Sequence, residues 1–492
     1  QDVIRIWKQD IPTLNPLQQE AINKAKILGG GSSIVVAPTS SGKTFIGEVA
    51  AIKTALIDQK KCVYLVPMKA LVNDKYYDFA RKYAEYGIRI ARSCGDIKDD
   101  DSAIARNKFD IAIFTNEKFL YWILTNPQFI ERLGLVVIDE LQLITEGDRG
   151  ITLEFLLTLL KEARNQNNFP QLIGLSATLG DLNGFDQWLN AIEIKSTQRP
   201  IPLLEGTIDY SGNFHYLDNE NKEKDLSILS HLYRGKGSNQ DIIIPLVQEL
   251  ISKNERVIVF RNQRAVVRAC ARYLSNSLSL PPAQEAIDRI PKSDPSLSTQ
   301  SLIDTLKNGV AFHNSDLTRI ERQTIEDDFR SPSGQIKVIV ATPTLAMGIN
   351  TPANTIIIAE LEHPGKTPTP YSVPEYKNMI GRAGRLGITN QGKAITVVLS
   401  QSEAYQIWNS YIRANPPELK SAFQMSDLPL FIVRVLATAQ GLDLDDIKKF
   451  VINSFAMCSV RAKSFDRQCQ NLEREVKSLD DADFINEDQG KL

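Results

Sequence analysis

Cysteine is scarce and scattered. Five occur, at Cys62, Cys94, Cys270, Cys458 and Cys469, and no two make a CxxC pair. Neither a zinc site nor a disulfide framework is suggested. The four histidines, His215, His231, His313 and His363, show no metal-ligand spacing and read as structural or surface residues. Charge of one sign is also missing: 57 Lys and Arg stand against 59 Asp and Glu, for a net charge of −2. With no global basic field, a nucleic-acid partner has to be held in a local groove. No signal-peptide pattern and no apolar run of membrane length occurs, so a soluble, intracellular protein with no membrane partner is expected. The cytoplasm is the expected location, and the nucleus is compatible with the same features. Internal repeats of short period are absent. No Met precedes Gln1, and the run from Ala482 to Leu492 reads as a strand entering a turn that then stops. Both ends lead to the expectation of a longer parent protein.

What is present is enough chain for two or three domains: 492 residues, 42% of them hydrophobic. Ser33-Ile34-Val35-Val36 reads as a buried strand, and Ala37-Pro38-Thr39-Ser40-Ser41-Gly42-Lys43-Thr44 follows it. A helical pattern then runs from Phe45 to Asp58. Strand, Gly-Lys-Thr turn and helix make a phosphate-binding loop. Its backbone N–H groups and the helix N-terminus face the phosphates, Lys43 adds a point charge, and the Thr44 hydroxyl reaches a magnesium ion. Ala37 stands where the general pattern has Gly, so the match is to its looser form.

The apolar run Leu135-Val136-Val137-Ile138 ends in Asp139-Glu140-Leu141-Gln142. Acids at the carboxyl end of a buried parallel strand lie at the edge of the sheet where ligands bind. Asp139 is the expected magnesium ligand. Glu140 is expected to orient, or take a proton from, the water that attacks the γ-phosphate. Taken alone, the pair would read as a solvated acidic turn; the upstream phosphate loop reverses that reading. Further on, Asn378-Met379-Ile380-Gly381-Arg382-Ala383-Gly384-Arg385 repeats Gly-Arg at an interval of three, on an expected helix start. Residues three apart share a helix face, and two planar guanidiniums suit one phosphate.

These residues together resemble superfamily 2 nucleic-acid helicases of the Ski-like DExH branch. That branch includes archaeal DNA-repair helicases and eukaryotic RNA-exosome and spliceosome helicases. The resemblance covers most of the chain, with the motifs in family order. Asn15 to Ala21 is similar to the adenine-reading Q motif, with Gln18 the reader, and Ala37 to Thr44 to motif I. Pro67 to Leu71 resembles motif Ia and Thr115 to Lys118 motif Ib. Asp139 to Gln142 is motif II, followed by Asp148-Arg149-Gly150 and Glu154. Ser176-Ala177-Thr178 resembles motif III and Val259-Phe260-Arg261 motif IV. Ala341 to Asn350 with Pro352-Ala353 resembles motif V, and Gly381 to Arg385 motif VI.

The resemblance implies ATP and Mg2+ as cofactors. The ATP would be bound by Gln18, Thr39, Ser40, Ser41, Gly42, Lys43 and Thr44, with Thr44 and Asp139 on the metal. Asp139, Glu140, Lys43, Arg382 and Arg385 would act in catalysis, with ATP in a cleft between two RecA-like domains. Gln142 and Asn378 depart from the family's usual His and Gln. Both are expected to couple the nucleotide state to the other motifs together with Ser176 and Thr178, since an amide donates and accepts as a neutral imidazole does. Gln142 and Asn378 are expected within hydrogen-bond reach, directly or through Ser176 or a water. Lys69, Thr115, Asn116, Arg261, Thr342 and Thr344 would grip the backbone of a single strand, without sequence preference. The partner is single-stranded or partly duplex nucleic acid, DNA favoured with RNA as the alternative, and a partner subunit fits the same picture.

The fold class is α/β: two tandem RecA-like parallel-sheet domains followed by a partial winged-helix domain. The expected boundaries are 1–198, 199–400 and 401–492, and a helical bundle bracing the second motor domain is the alternative for the last. Residues 211–240 read as a polar loop or insertion, and Pro291 to Thr299 as unstructured. Between motifs V and VI, Pro364, Gly365, Pro368, Pro370 and Pro374 disfavour the long strand-separating hairpin of the branch. The leading function is an ATP-dependent helicase or translocase moving 3′-to-5′ on single-stranded DNA. The alternatives are an RNA helicase, or a nucleic-acid-stimulated ATPase acting as a sensor or remodelling subunit. A scaffold with a dead nucleotide site is opposed by the intact Lys43, Thr44, Asp139, Glu140, Arg382 and Arg385.

Overall fold

The structure is a computed structural model. It describes residues 7–8, 13–39, 41–164, 169–177, 179–229, 238–291, 296–345, 353–365, 367–384, 391–424, 427–436, 443–458, 472–479 and 481–482. The chain divides into two compact units. The first takes Gln1–Ala37, Ser41–Thr197 and Pro417–Leu492; the second takes Pro38–Ser40 and Gln198–Pro416.

The first unit is built on seven parallel strands: β1 (Ser33–Val36), β2 (Lys61–Val66), β3 (Ile90–Ser93), β4 (Ile111–Thr115), β5 (Leu133–Ile138), β6 (Gln171–Ser176) and β7 (Ile192–Lys195). Their order is β3-β4-β2-β5-β6-β1-β7. The central strands are apolar throughout because helices cover both faces, as a parallel sheet requires. Two cores result. One holds Val63, Leu65, Val136 and Ile138 with Leu153, Leu156 and Leu160 of the helix Gly147–Arg164. The other holds Tyr64, Val137 and Leu175 with Ile46, Ala50 and Ala51 of the helix Lys43–Leu56. That helix lies close on the sheet: a Cβ at Gly47 would come within 2.8 Å of Val137 Cγ1.

The second unit carries β8 (Leu203–Ile208), β9 (Asn213–Leu217), β10 (Glu223–Ser227), β11 (Val257–Phe260), β12 (Val310–His313), β13 (Val338–Ala341), β14 (Thr355–Ile358), the two-residue β15 (Glu362–His363) and β16 (Thr369–Pro370), and β17 (Gly392–Val397). The large sheet runs β10-β9-β8-β17-β14-β11-β13-β12. It is parallel from β8 to β12, while β9 and β10 add on antiparallel.

Four expectations are corrected. Residues 211–240 contain an antiparallel hairpin, β9–β10, where a loop was expected. Its polar residues pair across the ladder, with Asp225 opposite His215 and Ser227 opposite Asn213. Within 291–299, a helix already begins at Leu297, because Ser296 caps it by accepting from Thr299 N at 3.1 Å; residues 292–295 lie outside the described ones. The helix near motif VI is Val373–Ile380, so Arg382 follows a helix end rather than sitting on a start. Ser372 and Glu375 form its capping box, and Gly381 is its C-cap. Finally, the boundary near 400 falls differently. Ile407, Trp408, Tyr411 and Ile412 bury into the second unit's core, whereas the chain from Pro417 groups with the first unit. Among the described residues between motifs V and VI, the hairpin is the two-residue β15–β16 ladder, short as the prolines there lead one to expect. The strand-turn expected at 482–492 lies outside the described residues apart from Ala482.

The described elements after Pro417 are helices: Leu428–Leu436, Leu444–Ile452, Phe455–Cys458 and 472–479. They pack Phe423, Ile432, Ile447 and Phe450 against Ile151 and Phe155 of the Gly147–Arg164 helix. Within this contact Glu154 is buried. It accepts from Ser421 Oγ and, at 2.8 Å, from Ala456 N. Burial raises its carboxyl pKa, since these donors offset only part of the lost hydration. Glu154→Ala leaves Ser421 and Ala456 without their acceptor. The variant is expected to lose about 1–3 kcal/mol, read as a lower thermal midpoint, with proteolysis of the 417–458 segment preceding that of the sheet.

Candidate nucleotide site and nucleic-acid face

In the first sheet β6 lies between β1 and β5, so the loops leaving all three strands meet at one edge. Val36 pairs with Ser176, and Ala37 N donates to Ser176 O at 3.2 Å. The phosphate loop that follows turns on Gly42, whose φ is +83°. That left-handed conformation favours glycine. A side chain would also displace the neighbouring amides: a Cβ there would come within 2.5 Å of Gln18 Nε2 and 3.1 Å of Asn15 Nδ2. Lys43 opens the helix, and its Nζ donates to Ala37 O at 2.6 Å, keeping the ammonium inside the loop. Ser41 is buried and Thr44 exposed. Thr39 lies in the loop, and Ser40 is outside the described residues.

Gln18 and Asn15 brace this loop from below. They form a capping box on the helix Pro16–Asn23, with Gln18 N on Asn15 Oδ1 at 2.9 Å and Asn15 N on Gln18 Oε1 at 3.0 Å. The spare amide hydrogens point at the loop: Asn15 Nδ2 donates to Ser41 O at 2.9 Å, and Gln18 Nε2 lies 3.5 Å from Gly42 O. The bracing role of Asn15 was missed, although its Asn-x-x-Gln spacing is a cap signature.

Asp139 and Glu140 leave the end of β5. Asp139 N donates to Leu65 O at 2.9 Å, prolonging the sheet by one bond. Glu140 has φ +57°, a strained value for a residue with a side chain. Its carboxylate accepts from Gln142 Nε2. The other end of the Gln142 amide accepts from Ser176 Oγ at 2.8 Å and Ala177 N at 3.1 Å. One buried amide therefore joins the acid of motif II to motif III. Thr178 is outside the described residues. Beneath the acids, burial and the charges of Asp139, Glu48 and Glu140 push the Tyr64 phenol well above its ordinary pKa, so it stays protonated. The donor set suits nucleotide and metal: the Thr44 hydroxyl and Asp139 carboxylate are hard oxygen ligands of the kind Mg2+ takes.

In the second unit, Arg382 follows the helix that carries Asn378, and both are half-buried. Arg385 is outside the described residues. The residues expected to hold a strand divide. Lys69 is exposed and paired with Asp96 at 2.7 Å, which raises its pKa. Thr115 caps the helix Asn116–Thr125, and Asn116 is buried behind it. Arg261 is held by Glu360, at 3.0 Å from Nε and 2.5 Å from Nη2, and by Tyr273 OH at 3.1 Å. A fork so engaged braces the sheet edge. Nothing near Arg261 in sequence announces Glu360. Thr342 is buried with its N on His313 O at 3.2 Å. The side chain of Thr344 and residues 346–352 are outside the described set.

Two parallel-sheet units, one carrying a phosphate loop and paired acids and the other a Gly-Arg loop, define tandem RecA-like nucleotide-binding domains. Comparison with known families agrees. Residues 15–184 match the DEAD/DEAH box helicase family, and residues 241–387 match the helicase conserved C-terminal domain. The chain thus carries matches to a DEAD/DEAH box helicase domain and a helicase C-terminal domain in tandem. It is similar to the ATP-dependent DNA helicase Hel308 of Caldivirga maquilingensis, at 34% identity over 99% of this chain and 64% of the relative. It is also similar to the proteins of that name from Pyrococcus horikoshii, at 33% over 91% of the chain and 59% of the relative, and Methanococcus vannielii, at 30% over 90% and 59%. The chain thus spans about three fifths of the length of these relatives. Among the described residues no helix is long and apolar enough to cross a membrane.

The geometry at Gly42 yields a direct test. Gly42→Ala forces a side chain onto Gln18 and Asn15 at a left-handed backbone. Affinity for a fluorescent ATP analogue is expected to fall at least about tenfold, with the thermal midpoint little changed because the loop lies outside the cores.

Proposed function

We propose that this chain is the motor part of an ATP-dependent DNA helicase that moves 3′-to-5′ along a single strand. The observation that carries the reading is the placing of Lys43, Ser176 and the Asp139–Glu140 pair by three adjacent strands, with Gln142 tying acid to motif III. The names of the relatives, ATP-dependent DNA helicases, support ATP as the fuel and DNA over RNA as the track.

In this reading the loop amides and Lys43 hold the phosphates, and Asn15 and Gln18 keep the loop in shape. Glu140, whose carboxylate accepts from Gln142, orients the attacking water and accepts its proton. A bound magnesium ion, held by Thr44 and Asp139, would supply Lewis-acid neutralisation of the β- and γ-phosphate oxygens. Arg382 and Arg385 stabilise the charge that develops on the γ-phosphate. Gln142 reports the state of Glu140 to Ser176 and Ala177, and Asn378 serves the same relay from the second unit. Lys69, Thr115, Asn116, Thr342 and Thr344 meet the strand through phosphates, with Arg261 shaping that edge. The chain from Pro417 onward belongs, in this proposal, to a winged-helix-like domain, and a partner subunit is compatible with it.

Wild-type ATP hydrolysis is expected to rise strongly with single-stranded DNA and less with matched RNA, and a duplex with a 3′ overhang is expected to be opened. Lys43→Ala should reduce hydrolysis at least about a hundredfold. Gln142→Ala should lower the ratio of stimulated to basal rate severalfold with KM for ATP nearly constant. Hydrolysis indifferent to DNA in the wild type would remove the motor reading, and an unchanged ratio in Gln142→Ala would remove the relay.

A further inference from the structure

The second unit opens with Gln198-Arg199-Pro200-Ile201-Pro202, ahead of β8. Its two prolines restrict the backbone. The Arg199 side chain lies against the loop that carries Arg382. Its Nη2 donates to Gly381 O at 3.2 Å and to Ala383 O at 3.2 Å. These are the carbonyls of the residues on either side of Arg382. Gly381 caps the helix Val373–Ile380, so its carbonyl belongs to the unsatisfied, negative end of that helix, where a cation is favoured.

The same segment also meets the loop and the helix before it. Gly384 has φ +90°, and a Cβ there would come within 2.8 Å of Ile201 Cγ2. Glu205, on β8, faces the Arg199 charge and bonds Lys377 Nζ at 2.7 Å on the helix before the loop. Across the loop Ala353 completes the hold, with Ala353 N on Arg382 O at 3.0 Å and Gly384 N on Ala353 O at 2.8 Å. The helix end and the loop are therefore gripped by residues 199–205 on one side and Ala353 on the other.

We propose that Arg199 is a positioning residue for ATP hydrolysis: it fixes the backbone on both sides of Arg382 and so aims that guanidinium. The inference rests on the reading of Arg382 as an arginine that meets the γ-phosphate. Arg199 stands two residues after Thr197, the last residue of the first unit before the crossing. Lysine, with a shorter reach and no planar fork, substitutes only in part.

The test uses the full chain with saturating single-stranded DNA. Arg199→Met is expected to lower kcat about tenfold or more, since a misplaced catalytic group costs that much, while KM for ATP stays within about twofold. Arg199→Lys is expected to recover part of the loss. Adding Arg382→Ala to Arg199→Met should cost little beyond Arg382→Ala alone, because both act through one guanidinium. Thermal midpoints are recorded for every variant. If Arg382→Ala is nearly inactive while Arg199→Met matches wild type, the tether is overturned. It is also overturned if the two losses multiply, or if activity in Arg199→Met falls only in step with the unfolded fraction and lysine restores nothing. An Arg382→Ala variant as active as wild type overturns the reading of Arg382 itself, and the tether with it.

Discussion

The candidate nucleotide site depends on the parallel pairing of β1 with β6. Backbone ladder bonds carry the strand end at Val36 alongside Ser176, and from there the phosphate loop and the Gln142 amide share one edge. Because β6 also pairs with β5, the acids arrive at the same edge without any loop having to reach for them. The side chains then add only local detail. Gly42 makes the turn, Gly47 lets the helix lie close on the sheet, and Asn15 and Gln18 fill the space behind the loop. A register slip of one residue between β1 and β6 would turn the loop's side chains to the opposite face and separate these parts.

Much of this was legible in the sequence because the chemistry is local. A phosphate loop needs a glycine, a lysine and a hydroxyl within a few residues, and buried parallel strands need short apolar runs, so both leave compact signatures. The hairpin β9–β10 left none. Every residue of β10 is exposed, so no apolar alternation marks it, and its partners include Arg413, which pairs with Glu223 from far along the chain. The helix at Leu297 was hidden by neighbouring Pro and Ser, though the Ser296–Thr299 cap was a readable signal. Ser372, Pro374 and Glu375 likewise mark a helix start ahead of the Gly-Arg repeat, which puts the arginines after its end.

Other features were out of reach for a different reason. Arg261 is spent on Glu360, and Arg199 on Gly381 and Ala383; each pairing joins residues about a hundred or more positions apart. Sequence shows that an arginine follows a strand or precedes a proline. It does not show which acceptor claims the guanidinium, and that acceptor decides whether the group is open to a phosphate or committed to holding backbone.

The return of the chain to its first unit has a consequence for biosynthesis. Leu419 and Phe455 bury into the same core as Leu153 and Leu156, so that core stays incomplete until more than nine tenths of these 492 residues have been translated. The second unit, whose residues end at Pro416, emerges whole before then. The nascent first unit must therefore wait with an apolar face uncovered while a later segment folds ahead of it. Through that interval it offers a natural target for chaperones, and slow translation between Gln198 and Phe455 would lengthen its exposure.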